Sequence, residues 1–432
     1  MNVDFTATQS IIDSARDMAF GMMSYYTGNN TGDTPGNLPN PYYWWEAGGM
    51  FMTMIDYWYY TGDSSYNEVT TQAMMNQANQ PHNDFMPPNQ TKTLGNDDQA
   101  FWAFAAMTAA EYKFPNPPDG QPQWLALAQA VFNLQAGRWD PSSCGGGLRW
   151  QIFTFNNGYS YKNSISNGCL FQLAARLAAY TGNTTYSEWA DKTWDWTNSV
   201  GLITPQYVVW DGSDDTDNCT SFNHIQWSYN AAVYLLGAAE MWNITGDQKW
   251  KDRTTGLIGG LDVFFSQNPA NTMYEVACEP QGTCDTDQQS FKAYVARWMA
   301  ATIKVAPWTH DLLWERIQVS SQAAAAQCSG PDNACGLQWT KGSTYDGSTG
   351  VGQQMSALQM IMARLINNVD GPVTQRTGGT SKGDPSAGSG ESENPSNPAT
   401  TEAITTGDKA GAGFLTAIVL IGILGGAWWM VF

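Results

Sequence analysis

The chain has 432 residues with 20 Trp, 19 Tyr and 17 Phe, yet only 14% of its residues are charged. Its 20 basic against 39 acidic side chains leave a net charge of −19, which excludes nucleic acid as a partner, because phosphate backbones are bound by clustered Lys and Arg. Aromatic rings set among abundant Asn, Gln, Thr and Gly pack a core. They are also the residue types that stack on sugar faces and hydrogen-bond sugar hydroxyls, and a neutral or cationic glycan is compatible with the charge.

Residues 1–370 read as one helical domain. Met1-Asn2-Val3-Asp4 carries no apolar leader, so export requires that an initiator Met stands in place of a signal peptide. Apolar residues at Ile11, Ile12, Ala15, Ala19, Met22, Met23 and Tyr26 keep helical spacing, as do Trp227, Ala231, Leu235, Ala238 and Trp242. Alternating β-branched runs are scarce. A short motif recurs at Tyr26-Thr27-Gly28-Asn29, Tyr60-Thr61-Gly62-Asp63, Tyr180-Thr181-Gly182-Asn183 and Ile244-Thr245-Gly246-Asp247. Gly just past a helix, followed by an Asx cap for the next, marks a helical hairpin. The spacing predicts about twelve helices, starting near residues 8, 46, 65, 97, 124, 163, 186, 226, 248, 288, 309 and 352. Six hairpins closing on themselves make an all-α fold, the (α/α)6 barrel, whose inner-helix ends and preceding loops converge at one mouth.

Those loops are therefore where a site is expected. Asn40-Pro41-Tyr42-Tyr43-Trp44-Trp45-Glu46 supplies Trp44 and Trp45. Thr93-Leu94-Gly95-Asn96-Asp97-Asp98 supplies two adjacent carboxylates with Asn96 as the expected N-cap, placing both in the first turn where the helix dipole favours an anion. Asp is common there for dipole reasons alone. A retaining glycosidase, however, needs two carboxyl groups roughly 5 to 5.5 Å apart, and mutual repulsion keeps one of such a pair protonated as an acid. Further along, Gly146 to Gln151 supplies Arg149 and Trp150, and Tyr161 to Gly168 supplies Tyr161, Asn163 and Asn167. Asp211 and the Gln226 to Asn230 segment, with Trp227, Tyr229 and Asn230, complete the candidate sugar-binding set. The run Asp211, Asp214, Asp215 and Asp217 lacks the ligand ladder of a calcium loop and reads as solvated. No Cys or His spacing suggests a metal, so neither metal nor cofactor is expected.

The spacing predicts that Cys278 with Cys284, and Cys328 with Cys335, each clip a short loop, while Cys144, Cys169 and Cys219 leave one further disulfide and one free thiol unassigned. Sequons at Asn29, Asn89, Asn183, Asn218 and Asn243 agree with a secretory route. Residues 371–413, rich in Gly, Ser, Thr and Pro, read as a disordered stalk. Residues 414–432 are uncharged and apolar with no basic cluster behind them, the pattern of a cleaved signal for a glycosylphosphatidylinositol (GPI) anchor, with a tail-anchored transmembrane helix as the alternative. The expected location is the cell surface, at the plasma membrane or cell wall.

Gly95 to Trp102, Gly146 to Gln151, Tyr161 to Gly168 and Trp227 to Asn230 together resemble glycoside hydrolase family 76, the endo-α-1,6-mannanases, and within it the fungal cell-wall branch of Dfg5 and Dcw1 type. The resemblance covers nearly the whole domain. It implies an (α/α)6 barrel and a retaining mechanism with Asp97 as nucleophile and Asp98 as general acid/base. It further implies an α-mannose donor, either α-1,6-mannan or the GPI core glycan, a β-glucan acceptor, and transfer of GPI-anchored glycoproteins to the cell wall. Simple endo-mannanase action and a catalytically silent, wall-anchored glycan binder are the competing readings; a polysaccharide lyase fits less well, because uronate substrates call for a basic cleft.

Overall fold

A computed structural model describes residues 1–389 and, beyond them, Thr416 in helical conformation. Among the described residues twelve α-helices form: α1 Thr8–Met23, α2 Trp44–Thr61, α3 Asn67–Gln77, α4 Asn96–Glu111, α5 Trp124–Gly137, α6 Ser164–Thr181, α7 Thr184–Val200, α8 Ser228–Thr245, α9 Gln248–Gly260, α10 Phe291–Val305, α11 His310–Gln327 and α12 Val351–Met362. The even-numbered helices pack in the order α2, α4, α6, α8, α10 and α12, and α12 packs back on α2. The odd-numbered helices lie outside them. This is the expected toroid of six hairpins.

Sequence explains which helices are inner. On α6 every residue but Thr181 is buried, and on α12 every residue is, so these helices are buried all round rather than along one stripe. Outer helices such as α1 and α7 bury one face only. Close approach of α6 to α8 depends on two glycines: a Cβ on Gly168 would sit 2.4 Å from Val233, and one on Gly237 would sit 2.4 Å from Phe171. Low on the barrel axis, Arg297 pairs with Asp56 at 2.7 Å and Arg176 with Glu111 at 2.7 Å. Both guanidiniums donate to Thr108 Oγ1, and Gln359 Nε2 donates to Asp56, so five inner helices share one satisfied polar network.

The recurrent motif ends α2, α6 and α8, where Gly62, Gly182 and Gly246 sit at φ 73°, 71° and 71°. Its Thr has a role of its own. Thr61, Thr181 and Thr245 each donate to the carbonyl four residues back and accept the N–H two residues on. The fourth copy differs, because α1 already stops at Met23 and Gly28 lies in the following loop.

Five short strands also form: β1 Tyr161–Asn163, β2 Gly212–Asp214 and β3 Phe222–Asn223 make an antiparallel sheet, and β4 Phe265–Gln267 with β5 Ala270–Met273 a hairpin. Disulfides join Cys278 to Cys284, Cys328 to Cys335 and Cys144 to Cys219, and Cys169 is the free, buried thiol.

The domain boundary at 370 needs correction. Residues 371–389, whose composition predicts the start of a disordered stalk, lie as a strap along the domain. Val373 N–H donates to Glu111 O and Gln375 N–H to Ala179 O. Ser381 Oγ accepts Leu125 N–H at 2.9 Å, Asp384 N–H donates to Gln129 Oε1, and Asn133 Nδ2 donates to the carbonyls of Pro385 and Ala387. Apart from Val373, which joins the core, the strap is held by backbone and hydroxyl hydrogen bonds rather than apolar side chains, which is why composition misses it. The compact unit runs to Gly390. The rest of the expected stalk, and the apolar tail apart from Thr416, lie outside the described residues.

Candidate active site

The N-termini of the inner helices open into a cleft of about 590 Å³. The start of α4 supplies its floor. Gly95, extended at φ −93° and ψ 165°, is the residue that precedes the helix, so the expected cap Asn96 is already its first residue. Asn96 is buried and faces away from the cleft. Its N–H donates to Trp150 O at 2.8 Å, its Nδ2 donates to Arg149 O at 2.8 Å, and its Oδ1 accepts from Arg138. These bonds seat α4 against the 149–150 segment.

Asp97 and Asp98 both line the cleft. Asp98 turns back to accept the Gly95 N–H with Oδ2 at 2.6 Å, while Asp97 Oδ1 is buried with no hydrogen-bond partner. A Cβ placed on Gly95 would lie 2.4 Å from Asp97 Oδ1 and 3.1 Å from Asp98 Oδ2. The two oxygens are thus no further apart than those distances end to end, an upper limit that does not exceed the carboxyl spacing of retaining glycosidases, roughly 5 to 5.5 Å. Burial pushes both acids up, Asp98 to about 7 and Asp97 well above the ordinary carboxylate range, where the charge of Asp98 adds to burial. Such a pair titrates as a unit and shares one proton.

The other expected residues divide in two. Trp45, Trp150, Tyr161, Asn163, Asp211, Trp227 and Tyr229 line the cleft. Tyr161 projects from β1 and donates to Asp211 Oδ2 at 2.8 Å, and Tyr229 stacks on Phe291 at 3.8 Å with an 8° interplanar angle. Asn163 caps α6 through Ser166 N–H. Trp44 instead packs in the core on Trp102, donates to Gln77 at 2.7 Å, and borders only a smaller adjoining hollow of about 260 Å³. Arg149 is spent on Asp140 at 2.7 Å and Asp215 at 2.5 Å, clamping the loops rather than meeting a sugar. Asn167, wholly buried, holds both the N–H and the carbonyl of Leu148. Asn230 is also buried and reaches Asp211 from behind. None of these four lines the cleft: Arg149 and Asn167 are matched to loop acids and loop backbone, Trp44 is held in the core by Gln77, and Asn230 is buried against Asp211.

Sequence reasoning missed Asp287, Gln288 and Phe291, which complete one wall. Asp287 accepts from Trp45 Nε1 at 3.0 Å, and burial raises its acid to about 6. Its signal was available, since residues 285–290 directly precede an inner helix. Of the lining residues Lys92 is the single base against Asp97, Asp98, Asp211 and Asp287, so the cleft is electronegative. No group of three or more His, Cys, Asp or Glu among the described residues is placed to hold a metal. Among the sequons, Asn29, Asn89, Asn183 and Asn218 are exposed and Asn243 is half-buried.

A paired-carboxylate floor under aromatic walls, at the mouth of a helical toroid, defines a carbohydrate-active enzyme. The profile of Glycosyl hydrolase family 76 matches residues 10–376, and the chain belongs to that family of glycoside hydrolases. It is 47% identical to the mannan endo-1,6-alpha-mannosidase DCW1 of Saccharomyces cerevisiae, across 100% of this chain and 95% of that protein. The mannan endo-1,6-alpha-mannosidase DFG5 of the same yeast is 43% identical across 100% and 94%. Among solved structures, Dfg5 from Chaetomium thermophilum in complex with glucosamine superposes with a TM-score of 0.86 at 47% identity, covering 90% of this chain and 98% of that one. The alpha-1,6-mannanase GH76A of Salegentibacter shares the fold at 18% identity, with a TM-score of 0.66 over 82% of this chain and 99% of that one.

Proposed function

We propose that this protein is a retaining α-mannosidase acting on α-1,6-mannosidic linkages, and that it passes mannosyl units of a GPI core glycan to a wall glucan as well as to water. The observation that carries the chemistry is the pairing of two adjacent, buried carboxyls, Asp97 and Asp98, at the cleft floor. Asp97 attacks the anomeric carbon, forming a β-linked mannosyl-enzyme as the C–O bond to the leaving sugar breaks, and Asp98 gives its proton to the departing oxygen. In the unliganded protein burial and the charge of Asp98 favour the proton on Asp97. Positive charge developing on the anomeric carbon reverses that preference, leaving Asp97 ionised and the shared proton on Asp98. Asp98 then takes a proton from the acceptor hydroxyl, and the mannosyl bond to Asp97 breaks.

The relatives' names support the linkage. The Salegentibacter enzyme, inactivated by replacing two neighbouring aspartates, holds α-1,6-mannotriose. Glucosamine, bound by the Chaetomium protein, is a component of the GPI core glycan and carries an amine that an electronegative cleft accommodates. A surface location through a GPI anchor at the apolar tail belongs to the same proposal. Its test is incubation of residues 1–389 with α-1,6-mannotetraose, with and without a β-1,3-glucan oligosaccharide, followed by mass spectrometry beside Asp97→Asn. A mannosyl-glucan hybrid absent from the variant supports transfer. Shortened mannans alone leave a hydrolase, and binding without products leaves a silent glycan binder.

A further inference from the structure

Behind the Tyr229–Phe291 wall lies a chain of buried polar and ionisable side chains that the proposed reaction does not use. Ser228 stands between Trp227 and Tyr229 at the start of α8, a helix whose own preceding residue offers no side-chain cap. Its N–H and hydroxyl are both taken by Glu275, at 2.9 and 3.0 Å, so the cap comes from a distant segment. Glu275 is fully buried, and its N–H donates in turn to Glu279 Oε1 at 2.9 Å. Glu279 Oε1 pairs with Lys292 at 2.6 Å. Lys292 is also fully buried, lies 4.2 Å from the Trp339 ring and donates to Leu337 O. It directly follows Phe291 at the start of α10. The Cys278–Cys284 disulfide closes the loop that carries Glu279.

We infer that Ser228, Glu275, Glu279 and Lys292 form a positioning relay that fixes the register of α8 against α10, and through it the parallel stack of Tyr229 on Phe291. The two ends of the relay are sequence neighbours of the two stacked rings, so movement at either end moves a ring. Burying polar and ionisable groups costs desolvation, and apolar residues would join these helices more cheaply; what these groups add is directional geometry. The Tyr229–Phe291 pair then serves as a preset wall for a sugar ring, and that use rests on the proposed glycan function. The same loop leads to Asp287, so its disulfide also steadies the partner of Trp45.

The test compares crystal structures of Glu275→Ala and Glu275→Gln with their affinities for α-1,6-mannotriose, measured by calorimetry in an Asp97→Asn background. In the alanine variant the stack opens by more than about 1 Å and mannotriose binds about tenfold more weakly, because the Ser228 donors lose their acceptor. The glutamine variant, which keeps an acceptor for Ser228 N–H, restores both. Lys292→Met gives the same opening from the α10 side if Glu275→Ala fails to fold. A folded alanine variant with the stack unmoved overturns the relay. If the Asp97→Asn parent fails to bind mannotriose, the glycan reading fails, and the relay is still decided by the stack geometry.

Discussion

Asp98 Oδ2 accepts the backbone N–H of Gly95 at 2.6 Å, and the same glycine faces Asp97 Oδ1 so closely that no side chain fits between them. Gly95 thus aims both carboxyls, one by its N–H and one by its missing Cβ. Gly95→Ala is expected to keep the fold and lower kcat/KM by about a hundredfold or more, since a displacement near 1 Å at the reacting groups costs that much. Steady-state kinetics beside a thermal melt checks it.

The pH profile follows from Asp98 and Asp287. The reaction needs one proton on the pair, and Asp98, pushed up to about 7, gives up its proton while Asp97, raised well above the ordinary carboxylate range, keeps one, so kcat/KM is expected to rise as pH rises through about 7. The charge of Asp287 contributes to raising Asp98. Asp287→Asn is therefore expected to move that acid limb to lower pH, with the direction set by removal of a like charge.

Stability carries the opposite sign from an ordinary carboxylate. With a folded pKa above the unfolded one, Asp98 binds its proton more tightly in the native state, so its contribution is present below the unfolded value and is lost as pH rises toward 7. Asp98→Asn is expected to melt above the wild type at pH 7, and the gap is expected to close toward pH 4. Calorimetry at both pH values measures it.

The strap sets the extent of the domain. Ending the chain at residue 370 removes the Ser381 acceptor from Leu125 N–H and the backbone partners of Gln129 and Asn133. That truncation is expected to cost about 2 kcal/mol or more relative to ending at 389, read from denaturant midpoints.

Arg149 provides a further check, because the sequence suggests a sugar ligand and the structure a clamp. It joins Asp140 to Asp215 across two cleft loops that the Cys144–Cys219 disulfide also ties. Arg149→Ala is expected to lower stability by about 2 kcal/mol, as for loss of one partner of a largely buried pair. A variant as stable as wild type with a raised KM would return Arg149 to the binding surface.

Helices were legible because inner ones carry long, largely apolar runs and outer ones keep a 3.6-residue stripe, and the Thr-Gly-Asx motif marks three of the hairpin turns. The strands β1 to β3 were not, since two or three residues cannot display an alternating pattern. For the cleft, Asp97 and Asp98 announce themselves as adjacent acids at a helix start. Trp44 and Trp45 show why neighbouring residues could not be told apart: identical in type, they leave one helix in different directions, one to the core and one to the cleft. Asn167 and Arg149 were misread because an amide or guanidinium that serves a sugar and one that serves a loop carbonyl look alike until the loop is folded.

The most direct measurement is mass spectrometry of the peptide containing Asp97 after a denaturing quench from a slow 2-fluoromannosyl fluoride. One 2-fluoromannosyl unit is expected on Asp97, absent from Asp97→Asn, with product from unmodified substrate retaining the α configuration. An unlabelled Asp97 in an enzyme that turns over with inversion would contradict this.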